Sequence, residues 1–131
     1  MIVVDTNVVS YLYLGTDYAE YSQRVFQHDP DWAAPYLWRS EFRNILTTQV
    51  RHDLIDMDTA LSMTQSAEKM LFGREFLVDS ATVMQVAAHG GLSAYDAEFV
   101  ALARQLCIPL VTLDKKILRA FPADTTSLME F

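Results

Sequence analysis

Two apolar runs, each ending in an aspartate, decide the fold. Residues 108–114 read IPLVTLD, and residues 1–5 read MIVVD. Short apolar runs without polar alternation are typical of strands that are buried on both faces, as in parallel sheets. The sequence therefore predicts two buried strands, Met1–Val4 and Ile108–Leu113, with Asp5 and Asp114 directly after their carboxyl ends.

Helices and short strands are predicted to alternate between these two runs. A strand is predicted at Trp32–Pro35, a short strand or extended link at residues 75–78, and an edge strand at residues 126–129. Apolar residues at helical spacing, capping acids and terminal glycines indicate the helices. Asp17 and Glu20 resemble a capping box that opens one of them. The predicted helices cover residues 6–14, 17–28, 37–52, 56–71, 79–89, 93–106 and 115–121.

This alternation predicts an α/β fold with a mainly parallel sheet covered by helices on both faces. A chain of 131 residues, 51% hydrophobic and 21% charged, is expected to form a single domain over residues 1–131. No apolar run reaches the roughly 18 residues that span a bilayer, and no secretory signal is evident. The one cysteine, Cys107, cannot form an internal disulfide. We therefore expect a cytoplasmic protein without a membrane segment, with Cys107 buried near a helix end.

The net charge argues against long-range attraction to nucleic acid. Ten Lys and Arg residues stand against seventeen Asp and Glu residues, which gives a net charge of −7. Such a chain does not attract phosphate over a distance. Either nucleic acid is not the partner, or several acids are clustered and partly neutralised by a bound cation.

Asp5 and Asp114 are predicted to share one crevice. Ligands of open α/β sheets bind beyond the carboxyl ends of the strands, where the strand order reverses. Two acids facing each other there repel unless one is protonated or a cation lies between them. Each aspartate alone has a simpler explanation as the N-cap of the following helix, a position that aspartate favours.

Glu41 lies within a predicted helix whose apolar stripe includes Trp38 and Phe42. It therefore lies on or beside the inward face, where a carboxylate costs free energy unless it is paired. Arg39 and Arg43 stand two positions away on the opposite side of the helix, so neither is its natural partner. Glu41 is thus either a boundary residue paired with a distant cation or a metal ligand.

Asp96 completes a set of four separated acids. It lies in the first turn of a helix, where it forms an S-x-x-D pair with Ser93 that also fits a capping box. Hard oxygen ligands without His or Cys favour Mg²⁺ or Mn²⁺ over Zn²⁺. The sequence shows no phosphate-binding loop and no nucleophile with an identifiable base. The histidines have no ligand-like spacing.

Candidate substrate contacts are less specific. Basic side chains near the acids can meet phosphates, although solvated charge pairs are the commoner explanation. They are Arg39, Arg43, Lys115 and Lys116. Aromatic residues are frequent in the first third of the chain and suit base stacking, core packing or a partner groove. The methionine-containing segment Met57–Met70, with Phe72 and Phe76, is a second candidate for a partner surface.

Four blocks of this sequence, taken together and in order, resemble the PIN-domain ribonucleases, in particular the VapC-type toxins of type II toxin–antitoxin systems. Each block is weak alone, but all four fall at the expected strand and helix ends. The resemblance covers nearly the whole chain. The blocks are IVVDTN at residues 2–7, SEF at 40–42, SAYDA at 93–97 and VTLD at 111–114.

The resemblance implies a three-layer α/β/α fold and a metal-dependent endoribonuclease. It implies metal binding and catalysis by four acids, Asp5, Glu41, Asp96 and Asp114, with support from Thr6, Asn7 and Thr112. It also implies Mg²⁺ or Mn²⁺ as cofactor, an RNA substrate, a homodimer and a small antitoxin protein as partner. Metal-activated water is then expected to attack phosphorus in line, without a covalent enzyme intermediate.

Three other functions share some of these features. A phosphoacceptor receiver domain wants adjacent acids after its first strand, but Thr6 and Asn7 follow Asp5. A haloacid-dehalogenase-like phosphatase wants a second aspartate where Asn7 stands. A PIN-like module that binds RNA or protein without cutting remains as the third alternative.

Overall fold

The central sheet holds all five strands in parallel. The structure is a computed structural model that describes residues 1–131. The strand order is β3-β2-β1-β4-β5, and every neighbouring pair is parallel. The strands are β1 Ile2–Val4, β2 Trp32–Pro35, β3 Glu75–Phe76, β4 Leu110–Thr112 and β5 Thr125–Ser127.

Seven helices cover this sheet. Every residue of β1, β2 and β4 is buried, and successive side chains of a strand point to opposite faces. Both faces are therefore covered, which confirms the predicted three-layer α/β/α fold. The helices are α1 Thr6–Tyr13, α2 Ala19–His28, α3 Leu37–Arg51, α4 Met57–Leu71, α5 Ser80–Gly90, α6 Ala94–Leu106 and α7 Lys115–Ala120. None of them combines the length and the apolar composition needed to cross a bilayer.

The order of the strands creates one switch point. From β1 the chain builds outward through β2 and β3 on one side, and β4 and β5 then build on the other side. The crevice between β1 and β4 opens at their carboxyl ends, where ligands of such sheets bind. The register pairs Val3 with Leu110 and Val4 with Val111, so Asp5 follows opposite Thr112.

Four local predictions were wrong. Asp17 does not cap α2, because it lies in a turn closed by the Ala19 N–H donating to the Thr16 carbonyl at 3.1 Å. Cys107 is exposed, because it ends α6 in a left-handed conformation with φ 56°. Strand β4 is shorter than the apolar run, because Pro109 has no N–H to donate. The final strand also begins and ends earlier than predicted, at Thr125–Ser127.

One buried carboxylate ties helix α3 to the edge of the sheet. Glu75 in β3 accepts hydrogen bonds from Trp38 Nε1 at 2.8 Å and from Arg39 Nε and Nη2 at 2.5 and 2.7 Å. Its side chain is only 5% exposed. The Arg39 hydrogen bonds hold the pKa of Glu75 below its usual value. Because α3 also carries Glu41, this contact positions one of the predicted metal ligands.

We predict that Glu75→Ala lowers the free energy of unfolding by about 2 kcal/mol, because it leaves the Trp38 N–H and the Arg39 guanidinium without a partner. Glu68→Ala is the matched control, since Glu68 meets the same Arg39 at 3.6 Å and is more exposed. Its expected cost is below about 0.5 kcal/mol. Urea denaturation measures both, and equal midpoints would contradict the assigned role of Glu75.

Candidate metal centre

Four acids from separate elements line one pocket at the carboxyl ends of β1 and β4. Asp5 follows β1, Glu41 comes from α3, Asp96 from α6, and Asp114 follows β4. The pocket has a volume of about 250 Å³, and apolar side chains form part of its wall. Its lining residues are Asp5, Thr6, Asn7, Glu41, Asn44, Ile45, Asp96, Phe99, Asp114 and Ile117.

Asp5 is held from two directions. As the N-cap of α1, its Oδ1 accepts a hydrogen bond from the Val8 N–H at 3.0 Å. Its Oδ2 accepts a hydrogen bond from the Thr112 hydroxyl on β4. Burial raises the pKa of Asp5 to about 6, and the charges of Asp114 and Glu41 add to the rise, against the lowering effect of its two hydrogen-bond donors. The carboxylate is therefore fixed in place but poorly compensated.

Thr112 connects the two strand-end acids. The hydroxyl that donates to Asp5 accepts a hydrogen bond from the Asp114 N–H at 3.0 Å. Asp114 in turn caps α7, where its Oδ1 accepts from the N–H groups of Lys116 and Ile117 at 2.9 and 3.1 Å. Both aspartates thus cap helices, as their simpler explanation states, and both also line the pocket.

Glu41 is oriented by a hydroxyl from the neighbouring helix. The Thr6 Oγ1 in α1 donates to Glu41 Oε1 at 2.7 Å. Burial raises the pKa of Glu41, and the charges of Asp96 and Glu98 raise it further, while the Thr6 hydrogen bond opposes them. Neither Arg39 nor Arg43 is among its partners, because both side chains bind Glu68 and Arg39 also binds Glu75.

Asp96 lies in the first turn of α6. The Ser93 hydroxyl accepts a hydrogen bond from the Asp96 N–H at 3.1 Å and so caps the helix. Burial raises the pKa of Asp96, as does the nearby charge of Asp114, whereas the Ser93 hydroxyl and the Lys116 ammonium lower it. Of the predicted basic residues, Lys116 is thus the one whose charge lowers the pKa of a pocket acid.

The donor chemistry of the pocket fits a hard divalent cation. Several buried or half-buried carboxylates repel one another there, and a cation between them removes that repulsion. No three of the His, Cys, Asp and Glu side chains stand close enough to hold one ion together. Mg²⁺ is often held by one or two carboxylates and completed by water and substrate phosphate, so one or two of these acids would hold it without a closed protein cage.

The structure separates the predicted site residues into two groups. The pocket brings together the four acids with Thr6 and Asn7, and Thr112 contacts Asp5 from β4. Arg39 and Arg43 do not line it, and Lys115 is an exposed residue at the start of α7. Asn44 lines the pocket but was not predicted. Its position three residues after Glu41, on the same face of α3, would have been enough to predict it.

Known proteins resemble this chain in sequence and in fold. A family model described as PIN domain matches residues 2–121. The chain is 29% identical to Ribonuclease VapC3 of Pyrobaculum aerophilum over 131 residues, which covers 95% of this chain and 98% of that protein. FitAcB from Neisseria gonorrhoeae has a similar structure, with a TM-score of 0.78, 19% identity and 100% of both chains covered. A toxin–antitoxin complex from Klebsiella pneumoniae contains a similar chain, with a TM-score of 0.74, 15% identity and 100% of both chains covered.

We predict that Asp5→Asn stabilises the metal-free protein at neutral and alkaline pH by about 2 kcal/mol, because it removes a carboxylate whose pKa is raised by folding. Asparagine still caps a helix. The folded pKa of about 6 exceeds the ordinary aspartate value of 3.8. The penalty is therefore absent below pH 3.8, grows as the pH rises to 6 and is complete above it.

Urea denaturation in a chelating buffer, at about pH 4 and about pH 8, tests this pH dependence. The stability difference between variant and parent should appear only at the higher pH. Asp31→Asn, a change at an exposed acid, serves as the control and should show no such gain. A variant that is less stable than the parent at both pH values would refute the cause assigned to the pKa of Asp5.

Proposed function

The chain belongs to the PIN domain family, and from this premise we propose that it is a metal-dependent endoribonuclease that acts as the toxin of a toxin–antitoxin pair. The observation that supports this proposal best is the convergence of four carboxylates on one pocket at the switch point of the sheet. Similarity to a protein named a ribonuclease over nearly the full length of both chains supports the same activity. The phosphoacceptor and phosphatase alternatives do not account for membership of this family.

In the proposed mechanism, Asp5 and Asp96 would hold Mg²⁺ or Mn²⁺ directly. Glu41 and Asp114 would act on it through bound water, because no three acids are close enough to share one ion. The ion, when bound, lowers the pKa of a water molecule and neutralises charge on the phosphoryl oxygens. Glu41 is suited to accept the proton of the attacking water, because its raised pKa brings it closer to neutral pH. The water attacks phosphorus in line, the bond to the leaving oxygen breaks, and that oxygen takes up a proton from solvent.

The remaining pocket residues position these groups. The Thr112 hydroxyl holds one oxygen of Asp5, and the Thr6 hydroxyl holds one oxygen of Glu41. Each carboxylate thereby keeps its orientation during the reaction. The amides of Asn7 and Asn44 face the same pocket and offer donors for a phosphate oxygen.

The proposed partner is an antitoxin protein, by analogy with the similar chain of the Klebsiella pneumoniae toxin–antitoxin complex. Exposed apolar residues at the start of α4 and just after its end suit a protein partner: Met57 is 52%, Leu61 53% and Phe72 78% exposed. A groove between α3 and α4 lies beside Met57 and Leu61.

We further propose a homodimer that acts in the cytoplasm. A small neighbouring gene with a DNA-binding segment and a docking tail would support the toxin role.

We predict that the purified protein cleaves single-stranded RNA in the presence of Mn²⁺ and that Asp5→Asn and Asp96→Asn each reduce the rate by at least about 100-fold. Glu130→Gln changes an exposed acid near the chain end and should retain full activity. Equal cleavage by all four preparations would indicate a contaminating nuclease. Binding of RNA by the parent without any cleavage would favour the alternative of a non-cutting PIN module.

We also predict that Thr112→Val raises the Mn²⁺ concentration needed for half-maximal cleavage by about tenfold, because Asp5 loses the hydroxyl that orients it. Valine keeps the shape and the strand preference of threonine. Thr126→Val is the matched control on β5, away from the pocket, and should leave this concentration unchanged. An unchanged metal requirement in Thr112→Val would show that the hydroxyl does not position Asp5 for metal binding.

A further inference from the structure

A row of aromatic side chains leads away from the acid pocket across helices α1 and α2. It begins one helical turn beyond the pocket residue Asn7, on the same face of α1. We call it the tyrosine ladder, and its members are Tyr11, Tyr18, Tyr21 and Arg24.

The members of the ladder contact one another in sequence. The ring centroids of Tyr11 and Tyr18 are 5.2 Å apart, and those of Tyr18 and Tyr21 are 6.5 Å apart. The Arg24 guanidinium lies 5.4 Å from the centroid of the Tyr21 ring. The three residues from α2 and its cap are spaced three positions apart, which aligns them on one helix face. The ladder is therefore continuous from the pocket side to an exposed cation.

The ladder differs from the other aromatic residues in this part of the chain. Trp32 and Trp38 are fully buried, and Tyr13 packs edge-on against Phe42 in the core. Tyr18, by contrast, is 40% exposed. Tyr11 and Tyr21 are half-buried against the core, which holds their rings in place.

One further observation links this row to the acid pocket. Burial and the charge of Asp5 raise the pKa of Tyr11, which agrees with its place beside the pocket.

We propose that the tyrosine ladder is a stacking platform that holds unpaired bases of single-stranded RNA while the adjoining phosphate occupies the acid pocket. This inference rests on the proposed ribonuclease function. Aromatic rings stack on any base, and a guanidinium adds a cation–π contact and a phosphate partner. A chain with a net charge of −7 has little long-range attraction for RNA, so stacking is the kind of contact that holds a base here.

The choice of unpaired RNA follows from the same geometry. A base can lie on a tyrosine ring only when it is free of its complement, because the bases of a duplex are stacked on each other. The platform thus selects unpaired over duplex RNA and is tolerant of base identity. A protein partner covering Tyr18 would require none of these preferences.

Binding measurements in an Asp96→Asn background test the platform without cleavage. The probe is a fluorescein-labelled single-stranded RNA of mixed sequence, about twelve nucleotides long. Tyr18→Leu should weaken its binding about tenfold in fluorescence anisotropy, because leucine lacks a π face. Tyr18→Phe should stay within about twofold of the parent. Tyr36→Leu changes a tyrosine outside the ladder that is 49% exposed, somewhat more than Tyr18, and should have no effect.

Two more readouts make the test specific. Arg24→Gln should weaken binding about threefold and reduce its dependence on salt, because one cation is lost. The same RNA annealed to its complement should bind no more weakly to Tyr18→Leu than to the parent. Thermal denaturation checks that both variants fold. Arg24→Gln should melt like the parent, and Tyr18→Leu should melt only slightly lower, because it loses ring contacts with Tyr11 and Tyr21 at a partly exposed position.

The outcomes separate this inference from the proposed function. Ladder-dependent binding by a protein that never cleaves RNA would support the platform and refute the nuclease. Cleavage with a raised KM and an unchanged kcat in Tyr18→Leu, in the active background, would support both. Equal binding by Tyr18→Leu and the parent, or no measurable binding by the parent, would overturn the platform even if cleavage is observed.

Discussion

The hydrogen bond between the Thr112 hydroxyl and Asp5 joins the two halves of this molecule at its candidate site. It exists because β1 and β4 are parallel neighbours in a register that places Asp5 opposite Thr112. The same hydroxyl accepts from the Asp114 N–H, so one side chain sets the position of two acids from opposite ends of the chain. A shift of this register by one residue would turn Thr112 away from Asp5.

The fold compensates the negative charges of these acids only in part. Helix caps and two threonine hydroxyls stabilise the carboxylates, yet burial still raises the pKa of Asp5, Glu41 and Asp96. Carboxylates with pKa values raised in this way are concentrated at functional sites, where a bound ligand can neutralise their charge. The proposed cation therefore contributes to stability as well as to chemistry, and the folded protein is prepared for it before it binds.

The acidic composition and the proposed RNA substrate are reconciled by the distribution of contacts around the pocket. Arg39 serves the fold rather than the substrate, because the buried Glu75 engages its guanidinium. Lys116 lowers the pKa of Asp96 instead, and Tyr11 of the tyrosine ladder lies near Asp5. Short-range stacking and a few cations can hold RNA where the overall field of the protein does not attract it.

The sequence by itself determined the α/β fold, because short buried runs and helical periods are local patterns. It also singled out the four acids that line one pocket, from strand ends for Asp5 and Asp114 and from helix positions for Glu41 and Asp96. It failed at Asp17, where a turn replaces the predicted helix cap, and at Cys107, which ends α6 in an exposed left-handed conformation. Asn44 could have been predicted from its helical spacing to Glu41. Only the tertiary structure showed that Glu75 holds Arg39, that Thr112 joins Asp5 to Asp114, and that Tyr11 meets Tyr18 across a turn. Those contacts join residues whose separation along the chain carries no periodic signal, so the packing of strands and helices alone decides them.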